Sequence, residues 1–321
     1  MKIVDDGVLQ FTVPMPMALR EVHVYALETD EGWVLIDSGF PSIEARDQLT
    51  TELETSIGGL SRISTIIVTH FHPDHSGLAG WIQERSNCRV VIHQADWPRL
   101  VHMAEPESEG AEVFSAMAKR SGTTFESMRA LFREVDVPIH EPMLAVGGEV
   151  LSVGGRQLEL VWTPGHTEGH LCVLDKRSGV MFTGDHLLAR ITPHVGRFHS
   201  AGRNPLHDFE DSLALVERLG PRRALPAHEG PVEDVAARCR EIAEHHQTRR
   251  DQVLAEISVQ PRTAPEIAAL IFRGREGGMH KMLALSETEA HLDALVEEGL
   301  LVRLGEGPTP EPSYELGSRP G

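Results

Sequence analysis

Tyrosine, cysteine and basic charge are what this 321-residue chain has least of: 2 Tyr, 3 Cys, and 30 Lys+Arg against 48 Asp+Glu. The cysteines, Cys88, Cys172 and Cys239, are far apart and form no C-x-x-C pair. That spacing speaks against a disulfide framework and against a cysteine-held zinc site. Each lies in or beside an apolar segment and reads as a buried core thiol. A reducing, cytoplasmic setting is the expectation. The net charge of −18 argues against a nucleic-acid scaffold and against an anionic membrane surface. Long apolar runs are missing too, since none approaches the roughly 18 residues that a membrane-spanning helix needs. The opening "MKIVDDGVLQF" carries acids before any apolar region forms, so it is not expected to be a secretory signal.

What is present is a hydrophobic share of 40%, ordinary for a folded chain, and enough length for about two domains. "EVHVYALET" and "GWVLIDSGF" read as adjacent strands joined by "DEG". "PSIEARDQLTTELETSIGGL" reads as a helix that starts at Pro41–Ser42 and stops at Gly58–Gly59. "RISTIIVTH" is a buried strand, "SGLAGWIQERS" a short helix, "CRVVIH" a strand, and "QADWPRL" opens a further helix. Residues from about 100 to 145 are polar and helical in period, with a capping box at Thr123 to Glu126, and read as a helical insertion. Strand patterns return at "QLELVWT", "HLCVLDK", "GVMFTGD" and "RRALPAH". From about Glu241 the pattern is helical, with capping boxes at Thr263 to Glu266 and at Ser286 to Glu289, followed by a hairpin whose tip is "GEGPTPEPS". This predicts one unit over 1–240 and a winged-helix-like unit over 241–321.

The chemistry concentrates in "THFHPDH", Thr69 to His75, placed after a buried strand. His70 and His72, two apart on extended backbone, share a direction. Pro73 then turns the chain, so Asp74 and His75 face a second point nearby. Imidazole and carboxylate are ligands for zinc and for iron. Four ligands in one loop do not complete two metal spheres, so further His or Asp residues are expected after later strands. His166 in "TPGHTEGH", Asp185 in "FTGDH" and His228 in "LPAHEG" meet that demand. Each follows a strand end, where α/β proteins collect functional groups.

This ordered set resembles the metallo-β-lactamase fold superfamily over roughly residues 20–240, with Asp37 in "LIDSG" matching its first motif. The resemblance implies an α/β fold, an αββα sandwich with a dinuclear metal centre. His70, His72 and His166 would hold one ion, Asp74, His75 and His228 the other, and Asp185 would bridge. Zinc is the first choice, and iron or manganese suit the same donors. Asp37 is then expected to hold a ligand histidine from behind. Asp74 is the expected catalytic residue, orienting a metal-bridging hydroxide and carrying its proton to the leaving group. The C-terminal pattern is similar to the subgroup with a C-terminal winged helix, like β-lactamase-like protein 2 and akin to glyoxalase II. One departure is "PAHEG" where the family shows P-G-H-G, which alters a loop and not the ligand.

The expected activity is hydrolysis of a small ester, thioester or lactone. Phosphodiester cleavage by the same fold is the alternative. Lactonases of this fold use a tyrosine near the site, but Tyr25 and Tyr314 lie in the wrong segments. Arg190, His194 and His199 in "ARITPHVGRFH" are therefore candidate oxyanion donors. A DNA-binding regulator is the remaining reading, and charge opposes it: residues 241–321 hold 8 Lys+Arg against 14 Asp+Glu. The expected partners are a small-molecule substrate and a second copy in a homodimer, with neither nucleic acid nor membrane.

Overall fold

The computed structural model describes residues 1–17, 19–104, 109–120, 135, 137–197, 203–274, 277–305 and 311–317. Seven strands pair in chain order into one sheet: β1 (Lys2–Asp5), β2 (Val8–Pro14), β3 (Glu21–Thr29), β4 (Gly32–Ile36), β5 (Ile63–Ile67), β6 (Arg89–His93) and β7 (Met143–Ala145). The pairing is antiparallel as far as β4 and parallel from β4 to β7. A second sheet has the order β12-β11-β10-β9-β8, built from β8 (Val150–Val153), β9 (Arg156–Trp162), β10 (Leu171–Asp175), β11 (Val180–Gly184) and β12 (Arg223–Pro226). Only its β11–β12 pair is parallel.

Both faces of each sheet are covered, which is why the central strands are apolar almost throughout. Along β3, Val22, Val24 and Ala26 pack outward with Leu49 and Leu53, while Tyr25 and Leu27 face the other sheet. This is the two-residue alternation of a strand. The outer residues meet α1 (Ile43–Ile57), which starts on a Ser42 side chain accepting from Ala45 N at 3.1 Å and ends on left-handed Gly58. On the far side, Cys172 and Met181 pack under Phe209 and Leu213 of α6 (Pro205–Leu219) and Cys239 and Ile242 of α7 (Val235–Val259). Between the sheets, Leu160, Val173 and Phe182 meet Val34, Ile36 and Ile67. Each such fully buried side chain stabilises the fold by about 1.5–3 kcal/mol. The layers are therefore helix, sheet, sheet, helix, an α/β αββα sandwich. All three cysteines are free and buried.

The other helices are α2 (Pro73–Ser76), α3 (Ala79–Ser86), α4 (Trp97–Ala104), α5 (Glu109–Arg120), α6 (Pro205–Leu219), α7 (Val235–Val259), α8 (Ala264–Ile271) and α9 (Gly278–Glu297). The C-terminal part joins α7 to α9 with a small antiparallel sheet, β13-β15-β14, made of β13 (Arg262–Thr263), β14 (Leu301–Leu304) and β15 (Ser313–Leu316). Thr263 does begin α8, its N–H reaching Glu266 Oε2 at 2.8 Å.

Three expectations change here. The helix expected from Glu241 begins on the Asp234 cap, so α7 runs continuously through residue 240. Its first half packs under the second sheet through Cys239 and Ile242, and its second half enters the C-terminal core through Val253 and Ile257. The Ser286 to Glu289 capping box does not start a helix, because "GMHKMLAL" before it contains no breaker past Gly278 and propagates the helix through Ser286. The helical insertion is met in part by α4 and α5. Met117 and Ala118 of α5 join the C-terminal core with Val253, Leu292 and Tyr314, and Arg120 pairs with Glu289 and Glu311, both at 2.6 Å. The Thr123 to Glu126 box lies outside the described residues, as does most of the expected hairpin tip. Among the described residues, no helix is long and apolar enough to cross a membrane.

Candidate metal centre

The expected ligands gather at one edge of the sandwich because β4, β5, β9, β11 and β12 all end there. His70 follows β5. His72 caps α2, a single helical turn with Pro73 at its start, which carries Asp74 and His75 back toward His70. His166 follows β9, Asp185 follows β11 and His228 follows β12.

Three overlapping groups have donor atoms within 4.8 Å of one another: His70, His72 and His166; His70, His75 and Asp185; and Asp74, His75 and His228. In the first, His72 Nδ1 lies 2.9 Å from His70 Nε2 and 3.0 Å from His166 Nε2. In the others, His75 Nε2 is 3.4 Å from Asp74 Oδ2 and 3.6 Å from Asp185 Oδ1, and His228 Nε2 is 3.2 and 3.4 Å from the same two oxygens. Ligand atoms about 2.1 Å from one ion at tetrahedral angles lie about 3.4 Å apart, so these spacings fit the edges of a coordination sphere. Three of the donors, His75 Nε2, His228 Nε2 and Asp185 Oδ1, are buried without a hydrogen-bond partner. A buried polar atom left unpaired costs about 1–3 kcal/mol. Here a cation would satisfy all three. The residues fit a pair of metal ions.

A family model described as the metallo-beta-lactamase superfamily matches residues 18–228. The chain belongs to the metallo-beta-lactamase superfamily. Its relatives include a probable metallo-hydrolase of Bacillus subtilis, 28% identical over 322 residues, covering 95% of this chain and 97% of that protein. An atrochrysone carboxyl ACP thioesterase of Aspergillus fumigatus is 28% identical over 242 residues, 75% of this chain and 61% of the relative. A metallo-beta-lactamase family protein from Thermus thermophilus superposes with a TM-score of 0.86 at 33% identity, covering 98% of this chain and all of that one. A beta-lactamase domain protein from Burkholderia ambifaria gives 0.85 at 30% identity, with 98% and 93% coverage.

In this member of the superfamily, neighbours turn the rings of the expected ligands inward. Three histidines present Nε2 to the centre because Nδ1 is occupied: His75 by Asp37 Oδ2 at 2.7 Å, His166 by the His194 carbonyl at 2.7 Å, and His228 by the Glu21 carbonyl at 2.8 Å. Such partners fix the tautomer and the ring orientation. Asp37 also accepts from Thr69 N at 2.8 Å and Thr69 Oγ1 at 3.0 Å. It does so from left-handed backbone, φ 64°, a conformation that costs about 1–3 kcal/mol outside glycine.

The two halves of the centre differ in charge. Burial pushes His70 and His72 well below the usual imidazole range and lowers His166 as well, leaving neutral rings with lone pairs. Burial acts the same way on His75 and His228, but carboxylates overcome it. Asp74, Asp37 and Asp185 hold His75 well above its ordinary value, and Asp185 and Asp74 bring His228 up to about 8. Burial would raise Asp74 and Asp185, yet His75 and His228 hold both below the carboxylate range. An ion bound by this second group would displace protons from its histidines.

The candidate oxyanion donors are placed variously. Arg190 extends into solvent, 3.1 Å from Glu229 Oε1, and Glu229 also accepts from Arg190 N at 2.7 Å. Glu229 is the residue of the departing "PAHEG", and it holds φ 68° where a glycine sits without strain. The His194 ring lies against α9, with Nε2 3.0 Å from Ser286 Oγ. His199 lies outside the described residues. Tyr25 is buried, its hydroxyl donating to the Pro226 carbonyl at 2.6 Å.

One residue of the site was not expected. Asp96, fully buried just beyond β6, accepts from Phe71 N at 3.0 Å, Thr167 Oγ1 at 2.8 Å and Gly169 N at 2.7 Å. It ties the loop of His70 and His72 to the loop of His166. A Cβ at Gly169 would come within 2.6 Å of the Asp96 carboxylate, so glycine is what lets the loops close. Its position after a strand end is the signal that marked the expected ligands, and "HQADW" carries it. His170 has a comparable part, accepting from Asp185 N at 3.2 Å while Nδ1 meets Thr163 Oγ1 at 2.8 Å.

Proposed function

We propose that the protein is a dinuclear metal-dependent hydrolase of a small ester, thioester or lactone. His70, His72 and His166 would hold one ion, Asp74, His75 and His228 the other, and Asp185 would bridge, with zinc the first choice. The observation that carries this reading is the convergence of His75 Nε2, His228 Nε2 and Asp185 Oδ1, buried and unpartnered, within one cluster. Of the bond types, the thioester has specific support in the fungal relative named as an acyl-carrier-protein thioesterase. Residues 1–240 would form the catalytic unit and 241–321 a winged-helix-like unit packed upon it.

Bound there, the ions supply Lewis acidity, polarising a carbonyl and bringing the pKa of water to about 7. The chain's own residues do the rest. Asp74, held ionised, accepts the proton that the attacking water gives up and delivers it to the departing thiolate or alkoxide. The new C–O bond forms by addition to the carbonyl and the C–S or C–O bond then breaks, giving a thiol or alcohol and a carboxylic acid, which loses its proton to solvent as it leaves as the carboxylate. Asp37, through His75 Nδ1, keeps the ring from turning as charge moves.

The test is metal analysis of protein purified without added metal, followed by a screen of acyl thioesters, p-nitrophenyl esters, lactones and a phosphodiester. Two equivalents of metal and turnover of one of the first three classes are expected. His70→Ala and Asp185→Asn should abolish that turnover with the fold intact. A well-folded protein without metal, or one that cleaves only the phosphodiester, would overturn the reading.

A further inference from the structure

We infer that α9 is a working part of the metal centre: Ser286 and Glu287 are positioning residues that set His166 through His194. This rests on the reading of His166 as a ligand and deepens it. On the side away from the centre, the His166 ring is oriented by a hydrogen bond from Nδ1 to the main-chain carbonyl of His194 at 2.7 Å. His194 belongs to the stretch 185–197, which follows β11 and forms neither helix nor strand. A carbonyl on such a segment fixes a ring only if something else fixes the carbonyl.

Residues of α9 supply that support. His194 Nε2 lies 3.0 Å from Ser286 Oγ, and Nδ1 lies 3.6 Å from Glu287 Oε2. Three residues on, Arg197 N donates to the Ser286 carbonyl at 3.2 Å, and the Arg197 side chain pairs with Asp293, two turns further along the same helix. A Cβ built on Gly196 would fall 2.4 Å from Ser286 Oγ, so the segment closes on the helix with no room for a side chain. The helix is anchored in turn, since His291 Nε2 lies 3.4 Å from His246 Nδ1 of α7, and Leu285 and Leu292 pack with Val253 and Ile257 in the C-terminal core. A continuous set of contacts therefore leads from the C-terminal core to a ligand at the sheet edge.

The experiment is zinc competition against a chromophoric chelator on the full-length chain, with cobalt absorption as the second readout. Ser286→Ala and Glu287→Gln should each weaken one of two bound ions about 10-fold, the lower end for lost outer-shell support. The other ion should be retained at its original affinity. Arg120→Gln is the control: it releases Glu289 on the same helix but touches neither His194 nor Glu287, and should lower the unfolding temperature while leaving both affinities unchanged. If either α9 variant failed to fold, His194→Ala would decide, with the same loss expected. Both ions held at full affinity in Ser286→Ala and Glu287→Gln, or an equal loss in Arg120→Gln, would overturn the inference while leaving the proposed function standing. A native protein that binds no ion would overturn both.

Discussion

Asp37 Oδ2 and His75 Nδ1 lie 2.7 Å apart, and both side chains are buried. The aspartate stands behind the ring and leaves Nε2 as the inward donor. Asp37→Ala should weaken binding of the ion proposed for Asp74, His75 and His228 by about 10–100-fold. Chelator competition would read this, and an unchanged second affinity would count against the role.

Asp96 carries a different prediction. Burial pushes its carboxyl up to about 6, opposed by the hydrogen bonds from Thr167, Phe71 N and Gly169 N. Asp96→Ala leaves those donors buried and unpaired, and Gly169→Ala forces the two loops apart. Each should cost about 10-fold or more in kcat/KM on whichever substrate the screen identifies. Normal turnover in both variants would show that the loops hold their spacing without this carboxylate.

Glu287 predicts a pH dependence. Burial alone would raise it, but the hydrogen bond and charge of His194, with His291 and His246 nearby, bring it down to about 2 from its ordinary 4.5. A depressed carboxyl stabilises the fold above its unfolded value, and that contribution is lost as pH falls from about 4.5 toward 2. Glu287→Gln should lower the unfolding temperature by about 2–4 °C at pH 7. The gap should narrow in scans run toward pH 3. A gap independent of pH would show that the charge of Glu287 contributes nothing to stability.

Arg156 carries a prediction about stability alone. Its guanidinium is buried against Asp175 at 2.6 Å and also donates to the Glu28, Asp6 and Gly7 carbonyls, joining the first strands to the second sheet. Removing one partner of such a pair leaves an uncompensated buried charge. Arg156→Ala should cost about 3–5 kcal/mol in urea unfolding. A cost under about 1 kcal/mol would place the pair with exposed ion pairs in its effect.

Much of the site was legible in the chain itself. Imidazoles and carboxylates at the ends of apolar strands declare their chemistry by residue type, and "THFHPDH" also declares its geometry, since extended spacing and a proline turn are local properties. His166, Asp185 and His228 followed by the same logic, and the structure brings them to the first motif. Ser286 shows where local reading fails: its four-residue box looks like a helix start, but the apolar stretch before it simply continues the helix.

Residue order thus determined the donor types, their strand-end positions and the two-sided burial of the central strands, because each depends on periodicity within a few residues. Tertiary structure alone decided that Asp96 joins loops more than 90 positions apart, that Glu229 takes Arg190 out to solvent, and that a C-terminal helix supports His194. Those contacts depend on how two sheets and their covering helices pack, and no short-range pattern encodes that.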